Sequence, residues 1–151
     1  MRHASTLRCR SEPGPEPVFR IVIDGGQLGA QEESWAADYL RRLRAPWQAT
    51  LTGYRRKVPD TLLRTTDPVV LLDERGSQMS STQLSQWILQ LGLNAVFVIG
   101  GSHGFVSPWV SRHRLSLGPL TLPHRLAAVV FAEQLYRAYT LSIGHPYHHD
   151  G

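Results

Sequence analysis

Residues 95–104 read AVFVIGGSHG. Five consecutive apolar residues, three of them β-branched, run straight into two glycines, which is the form of a buried strand ending in a tight turn. A strand wetted on one side would alternate apolar and polar residues; this one does not, so both of its faces are covered. Residues 69–72 (VVLL) read the same way, and residues 18–23 (VFRIVI) nearly so. Between and after them the period changes. In residues 31–43, Trp35, Tyr39 and Leu43 recur every four positions on one predicted helical face, and Pro46 ends the segment. Ser80 and Gln83 have capping-box spacing and open a helix that runs to Leu91. Pro123 starts a long helix to about Leu141, with Leu126, Val129, Val130 and Tyr136 on its inner side and Gly144 just past its end. Strands and helices alternate, so the expected fold is α/β: a mostly parallel sheet with helices on both faces. Shorter signals fill the gaps. They are a half-buried strand at 47–54, a helical turn at 60–64, a polar loop at 73–77, a short helix capped by Ser107 with Pro108 in its first turn, and a short strand at 115–117.

At 151 residues the chain holds one such domain. Residues 1–17 read as a flexible N-terminal extension, because 1–10 are arginine-rich without acids and 11–17 (SEPGPEP) break any regular element. The domain is therefore expected over 18–151. No apolar run approaches the roughly 20 residues of a membrane helix, since the longest is interrupted by Glu133 and Arg137. The net charge of +4 favours an anionic partner, nucleic acid first. Lys57 is the only lysine, and arginine suits forked phosphate contacts. Cys9 is the only cysteine, which excludes an internal disulfide and fits a reducing compartment. A cytoplasmic location is expected; the composition of residues 1–10 also suits an organellar transit segment.

Ligands of open α/β sheets bind beyond the carboxyl ends of the strands. Three ends are distinctive: Leu72-Asp73, the glycine loop after Ile99, and the loop before the last helix, LSLGPLTLPH at 115–124. The glycine loop is neither G-x-G-x-x-G nor a Walker A sequence, and a tight turn needing positive φ explains its glycines as well as a ligand does. The 115–124 loop is apolar, so its main-chain groups need partners other than water; an adenine ring or an overlying chain segment would both serve. Three tail histidines, His145, His148 and His149, have no cysteine and only Asp150 beside them, and no metal is expected. No G-x-S-x-G elbow occurs, and Glu133 is expected to anchor an arginine.

Taken together, Leu72-Asp73, Ile99-Gly100-Gly101 with Gly104, Leu120-Thr121-Leu122-Pro123-His124, residues 133–138 (EQLYRA) and His145-Pro146-Tyr147-His148 resemble the ribosomal RNA large subunit methyltransferase H family of the SPOUT superfamily. Tyr39-Leu40-Arg41-Arg42 adds to the likeness, which runs from about Val18 to the end. The resemblance implies a C-terminal trefoil knot, a homodimer and S-adenosylmethionine held in the knot. It implies methylation of N3 of a pseudouridine in large-subunit ribosomal RNA, in the assembled ribosome. On matching positions, Leu72, Gly100, Gly101, Leu117, Gly118, Pro119, Leu120, Thr121 and Leu122 would bind the cofactor, and Tyr147 and His148 would lie at the target base as candidate orienter and candidate base. Arg55, Arg56 and Lys57, with His149, are the expected RNA contacts. Three departures bear on RNA rather than fold: His103 where the family has an acid, His149 where it has arginine, and a short 53–67 segment without a Gly-Lys-rich stretch. The alternatives are a non-catalytic ribosome- or RNA-binding knotted protein that retains the pocket, and a nucleotide-dependent oxidoreductase.

Overall fold

The computed structural model describes residues 4–8, as backbone, and residues 18–149. The elements in chain order are β1 (Ala4–Arg8), β2 (Phe19–Asp24), α1 (Ala30–Leu40), β3 (Ala49–Tyr54), α2 (Asp60–Leu63), β4 (Val69–Gln78), α3 (Ser81–Leu91), β5 (Val96–Gly100), β6 (His113–Ser116) and α4 (His124–Ser142). The strands form one sheet in the order β1-β3-β2-β5-β4-β6. From β2 to β6 every pairing is parallel, and β1 runs antiparallel to β3. This is the α/β fold with a mostly parallel sheet that the apolar runs predict.

Alternation along the strands explains why those runs are continuous. Phe19, Ile21 and Ile23 of β2 and Phe97 and Ile99 of β5 point to one face, where they pack with Ala36 and Leu40 of α1, Leu84 and Ile88 of α3, and Ala128, Phe131 and Leu135 of α4. Phe97 and Phe131 stack with ring centroids 4.6 Å apart at the middle of this layer. Val22, Val96, Val98 and Leu71 point the other way and are covered by Val58, Leu62 of the one-turn helix α2, Phe105 and Trp109. Each of these strand residues is thus removed from water on whichever face it points to, which no alternating sequence would permit.

Five parts of the chain differ from expectation. β1 lies inside the stretch read as an extension: its backbone pairs along β3, Ala4 opposite Tyr54 and Arg8 opposite Thr50. The sequence ASTLR carries no strand pattern, because ladder hydrogen bonds can be made by any backbone; the rest of that stretch lies outside the described residues. α1 buries Ala36 and Leu40, while Trp35 is 52% exposed. Of the expected stripe, Leu43 is buried and Tyr39 packs on the core, but Trp35 does not, and Ala36, which carries little hydrophobic signal, is buried. The polar 73–77 segment belongs to β4, with a bulge: Leu115 of β6 pairs with Leu72 and again with Ser77. The intervening Glu74 and Arg75 are exposed, which explains their polarity. Gly76 is required there, since a Cβ would lie 2.6 Å from the Arg114 carbonyl carbon. No helix follows Ser107, whose side chain is engaged elsewhere. On α4, Val129 and Tyr136 are buried as expected, but Leu126 is exposed.

A candidate cofactor cleft and a folded tail

The carboxyl ends of β4, β5 and β6 open into a cavity of about 600 Å³, within the range of small-molecule sites. Its apolar floor comes from Leu72, Ile99, Phe105, Leu117, Leu122 and Ala127. Gly100, Gly101 and Gly104 form one wall; Gly118, Leu120 and Thr121 form the opposite lip; His124 at the start of α4 closes the end. The structure therefore gathers Leu72, Gly100, Gly101, Leu117, Gly118, Leu120, Thr121 and Leu122 around one space. Pro119 is exposed and does not line it. Residues absent from the sequence expectation also stand here: Asp73, Glu74, Arg75, Phe105, Arg114, His124 and Ala127. Asp73 was signalled by its place after Leu72; Arg114 had no signal, because a charge on a short edge strand reads as solvated surface.

Local bonds shape both walls. Ser116 Oγ donates to the Gly118 carbonyl at 2.9 Å and accepts from its N–H at 3.0 Å, fixing the bend into the lip. Gly118 takes φ +129°, a conformation that side chains resist. Gly101 and Gly104 exchange main-chain hydrogen bonds of 3.1 and 3.0 Å. A Cβ on Gly101 would sit 2.1 Å from the Gly25 carbonyl oxygen, so this glycine serves contact with the loop after β2 rather than approach of a ligand. The mouth is polar. Asp73 accepts from the Arg75 N–H at 3.0 Å and from Arg114 Nη1 at 2.8 Å, and Thr121 Oγ1 donates to Glu74 at 2.7 Å. The Asp73 carboxyl is held below the ordinary carboxylate range. The Arg75 N–H is the main cause, helped by the Arg75 charge and by hydrogen bonds from the Arg75 and Arg114 side chains against the opposing cost of burial.

The tail is a second cluster. Tyr147 Oη donates to Glu133 Oε2 at 2.8 Å, and its ring meets Tyr136 edge-on at 4.8 Å. Arg137 binds the same carboxylate at 2.6 Å, lies 4.9 Å from the Tyr147 ring centre, and donates to His148 Nδ1 at 3.1 Å. Glu133 thus anchors an arginine, as its place in the sequence suggests. Burial first, then the bond to Glu133, push the Tyr147 hydroxyl up to about 12. Because a guanidinium only donates, Nδ1 of His148 is the acceptor and a neutral ring carries its proton on Nε2. Along α4, Glu133 and Arg137 lie roughly 9–15 Å beyond Ala127 of the cleft, at ~1.5 Å per residue. Within one chain Tyr147 and His148 do not meet the cleft.

Arg55, Arg56 and Lys57 are exposed just after β3, on the same sheet edge as the cleft; Arg55 Nε donates to Gln27 at 2.9 Å. β3 and β5 flank β2, so this basic loop stands about 10 Å to one side of the glycine wall. His149 is exposed on the tail. Among the described residues, no helix is long and apolar enough to cross a membrane.

A family model described as "Predicted SPOUT methyltransferase" matches residues 19–148, which span the sheet, the cleft and the tail. The chain belongs to this family. Among its relatives, Ribosomal RNA large subunit methyltransferase H of Koribacter versatilis is 43% identical over 143 residues, covering 86% of this chain and 97% of the relative. The protein of the same name from Gloeobacter violaceus is 39% identical over 149 residues, covering 87% and 98%. A third, from Nitratidesulfovibrio vulgaris, is 48% identical over 91 residues; there the match spans 58% of the relative and 56% of this chain. The matched residues include the strands and loops that line the cleft.

Proposed function

We propose that this protein transfers the methyl group of S-adenosylmethionine to N3 of a pseudouridine in large-subunit ribosomal RNA, acting as a homodimer on the assembled ribosome. The observation that carries the reading is the cleft at the ends of β4, β5 and β6, in a chain of this family. The names of the relatives supply the RNA class. The cleft suits the cofactor chemically. Leu72, Ile99 and Leu122 offer an apolar bed for an adenine ring, the 117–122 main chain offers groups for its edges, and Asp73 and Glu74 stand at the mouth where hydroxyl or ammonium groups would lie. The bound cofactor supplies an electrophilic methyl on a sulfonium. The protein's part is alignment, because holding nucleophile and methyl in line near contact is worth roughly 7–11 kcal/mol.

The tail enters this reading through the dimer. Since Tyr147 and His148 stand away from the cleft of their own chain, they serve the cleft of the partner. A hydroxyl with a pKa near 12 stays a neutral phenol, so Tyr147 orients or stacks and does not take the N3 proton. His148 can take it at Nδ1 only when Arg137 turns away, and an RNA phosphate would draw Arg137 off. Arg55, Arg56, Lys57 and His149 complete the RNA face. The knot of the last segments belongs to the same proposal.

Two measurements test it. Mass-spectrometric mapping of ribosomal RNA from cells lacking the gene should show one pseudouridine that has lost a methyl group. In vitro, a chain truncated before Tyr147 and a full-length chain with a disabled cleft should each be inactive alone. Mixed as heterodimers they should recover activity; no recovery would return the tail to its own chain's cleft. Cofactor binding without any methyl transfer would instead favour the non-catalytic alternative.

A further inference from the structure

Asp24 is the one fully buried carboxylate among the described residues, and the cleft does not use it directly. It ends β2 on the face opposite the three long helices. Its Oδ2 accepts from Val106 N at 3.0 Å, Ser107 N at 3.0 Å and Trp109 Nε1 at 2.9 Å, and its Oδ1 accepts from Ser107 Oγ at 2.8 Å. Four donors thus converge on one carboxylate, three on Oδ2 and one on Oδ1, and all of them come from the 106–109 segment. The main chain of the same residue also takes part: the Asp24 carbonyl accepts from Gly101 N at 2.9 Å. One residue therefore grips the loop after β5 at both ends, at Gly101 and at 106–109. Between those grips lie Gly104 and Phe105, which line the cleft. The next residue adds a steric grip, since the Gly25 carbonyl abuts Gly101 and the space beside Gly25 is filled by Val106. Ser107 Oγ, while donating to Asp24, accepts from the buried Val58 N–H at 3.0 Å, directly after the basic residues 55–57.

We propose that Asp24 is a positioning residue that holds the 101–109 loop as the wall of the cofactor cleft and, through Ser107, locks that wall to the end of the basic loop. A loop without a helix of its own has few internal hydrogen bonds, and a buried acceptor of four bonds replaces the missing ladder. The inference rests on the cofactor reading of the cleft. Its test separates the two by including a readout that needs no ligand.

The variant Asp24→Val keeps a strand-forming residue beside the apolar cluster and leaves the four donors without their acceptor. Its KM for S-adenosylmethionine should rise about tenfold or more, the scale of losing hydrogen bonds to a charged acceptor. Its kcat at saturating cofactor should stay close to wild type. Amide exchange at Val106, Ser107 and Val58 should quicken in the absence of ligand. Trp109→Phe, which keeps an aromatic ring but removes one donor, should raise KM by a smaller amount. A folded Asp24→Val with wild-type KM overturns the proposal. So does a lowered kcat at unchanged KM, which marks only a smaller folded fraction. If Asp24→Val does not fold, Trp109→Phe decides: a raised KM supports the proposal and a wild-type KM overturns it. A wild-type protein that binds no S-adenosylmethionine would sink the cofactor reading, and the exchange rates would then decide the clamp by themselves.

Discussion

At the scale of single residues, Tyr147 and Gly101 show how much a neighbour decides. Tyr147 is pushed up to about 12 by burial and by its bond to Glu133. Its folded value lies above the ordinary tyrosine value of about 10, so its contribution to stability is complete below that pH and is lost as pH rises through the folded value. An ultraviolet absorbance titration should show one late tyrosine, missing in Tyr147→Phe, and below pH 10 that variant should be less stable by about 1 kcal/mol. A tyrosine set identical in both proteins would mean that the tail is not docked on α4. Gly101→Ala makes a different point. The added carbon would meet the Gly25 carbonyl at 2.1 Å, backbone against backbone, and neither strand end can yield cheaply. Chemical denaturation should find a loss of about 1–3 kcal/mol, as for overpacked cores. A variant as stable as wild type but unable to bind cofactor would restore the simpler view of Gly101 as a ligand-facing glycine.

At the scale of elements, helix ends and loops carry the testable energies. Ser80 accepts from Gln83 N at 3.1 Å while Gln83 reaches back to Ser80 N at 2.9 Å, the reciprocal cap of α3. Ser80→Ala should cost about 1 kcal/mol in urea unfolding without altering cofactor affinity, because α3 packs on α4 and the sheet and contributes no residue to the cleft. A variant that lost affinity as well would tie α3 to the site. The basic loop gives the electrostatic counterpart. Arg55, Arg56 and Lys57 are exposed beside the cleft edge and, among the described residues, no carboxylate pairs with them. Neutralising all three should weaken ribosome binding and flatten the salt slope by roughly 0.7–0.9 per lost phosphate contact. An unchanged slope would make these residues ordinary surface and move attention to Arg75 and Arg114 at the mouth.

At the scale of the molecule, one sheet edge brings together parts that are remote in sequence: the end of β2, the basic loop after β3, the bulge of β4, the glycine wall after β5 and the lip after β6. That edge is where the carboxyl ends of parallel strands must lie, which is why the segments after β4, β5 and β6 build one cleft with the end of β2 and the basic loop beside it. The tail, by contrast, is fastened to the far half of α4 by Glu133, Arg137 and Tyr136. A site that needs both requires two chains arranged so that each tail faces the other's cleft. Light scattering at micromolar concentration should therefore find a dimer, and a monomer that still turned over would contradict this division of labour.

The sequence by itself determined the class of fold, because apolar runs such as 69–72 and 95–99 can only be strands covered on both sides. It also determined most of the cleft. Leu72, the glycines at 100–101 and the apolar 117–122 loop sit at strand ends, and strand ends of a parallel sheet share an edge. Helix caps were equally legible at Ser80 and Pro123, since a cap is a matter of neighbours in sequence. Tertiary structure alone decided what depends on distant partners. Ser107 has the signature of a cap, yet a buried carboxylate 83 residues away in sequence offered its hydroxyl and amide a stronger acceptor than a short solvated helix could. Residues 4–8 became a strand because β3 had an open edge to be paired. Asp24 looks in sequence like the polar end of a strand; only the loop folded over it makes it a buried hub, because a hydrogen bond is a relation between two places in space and sequence names only one of them.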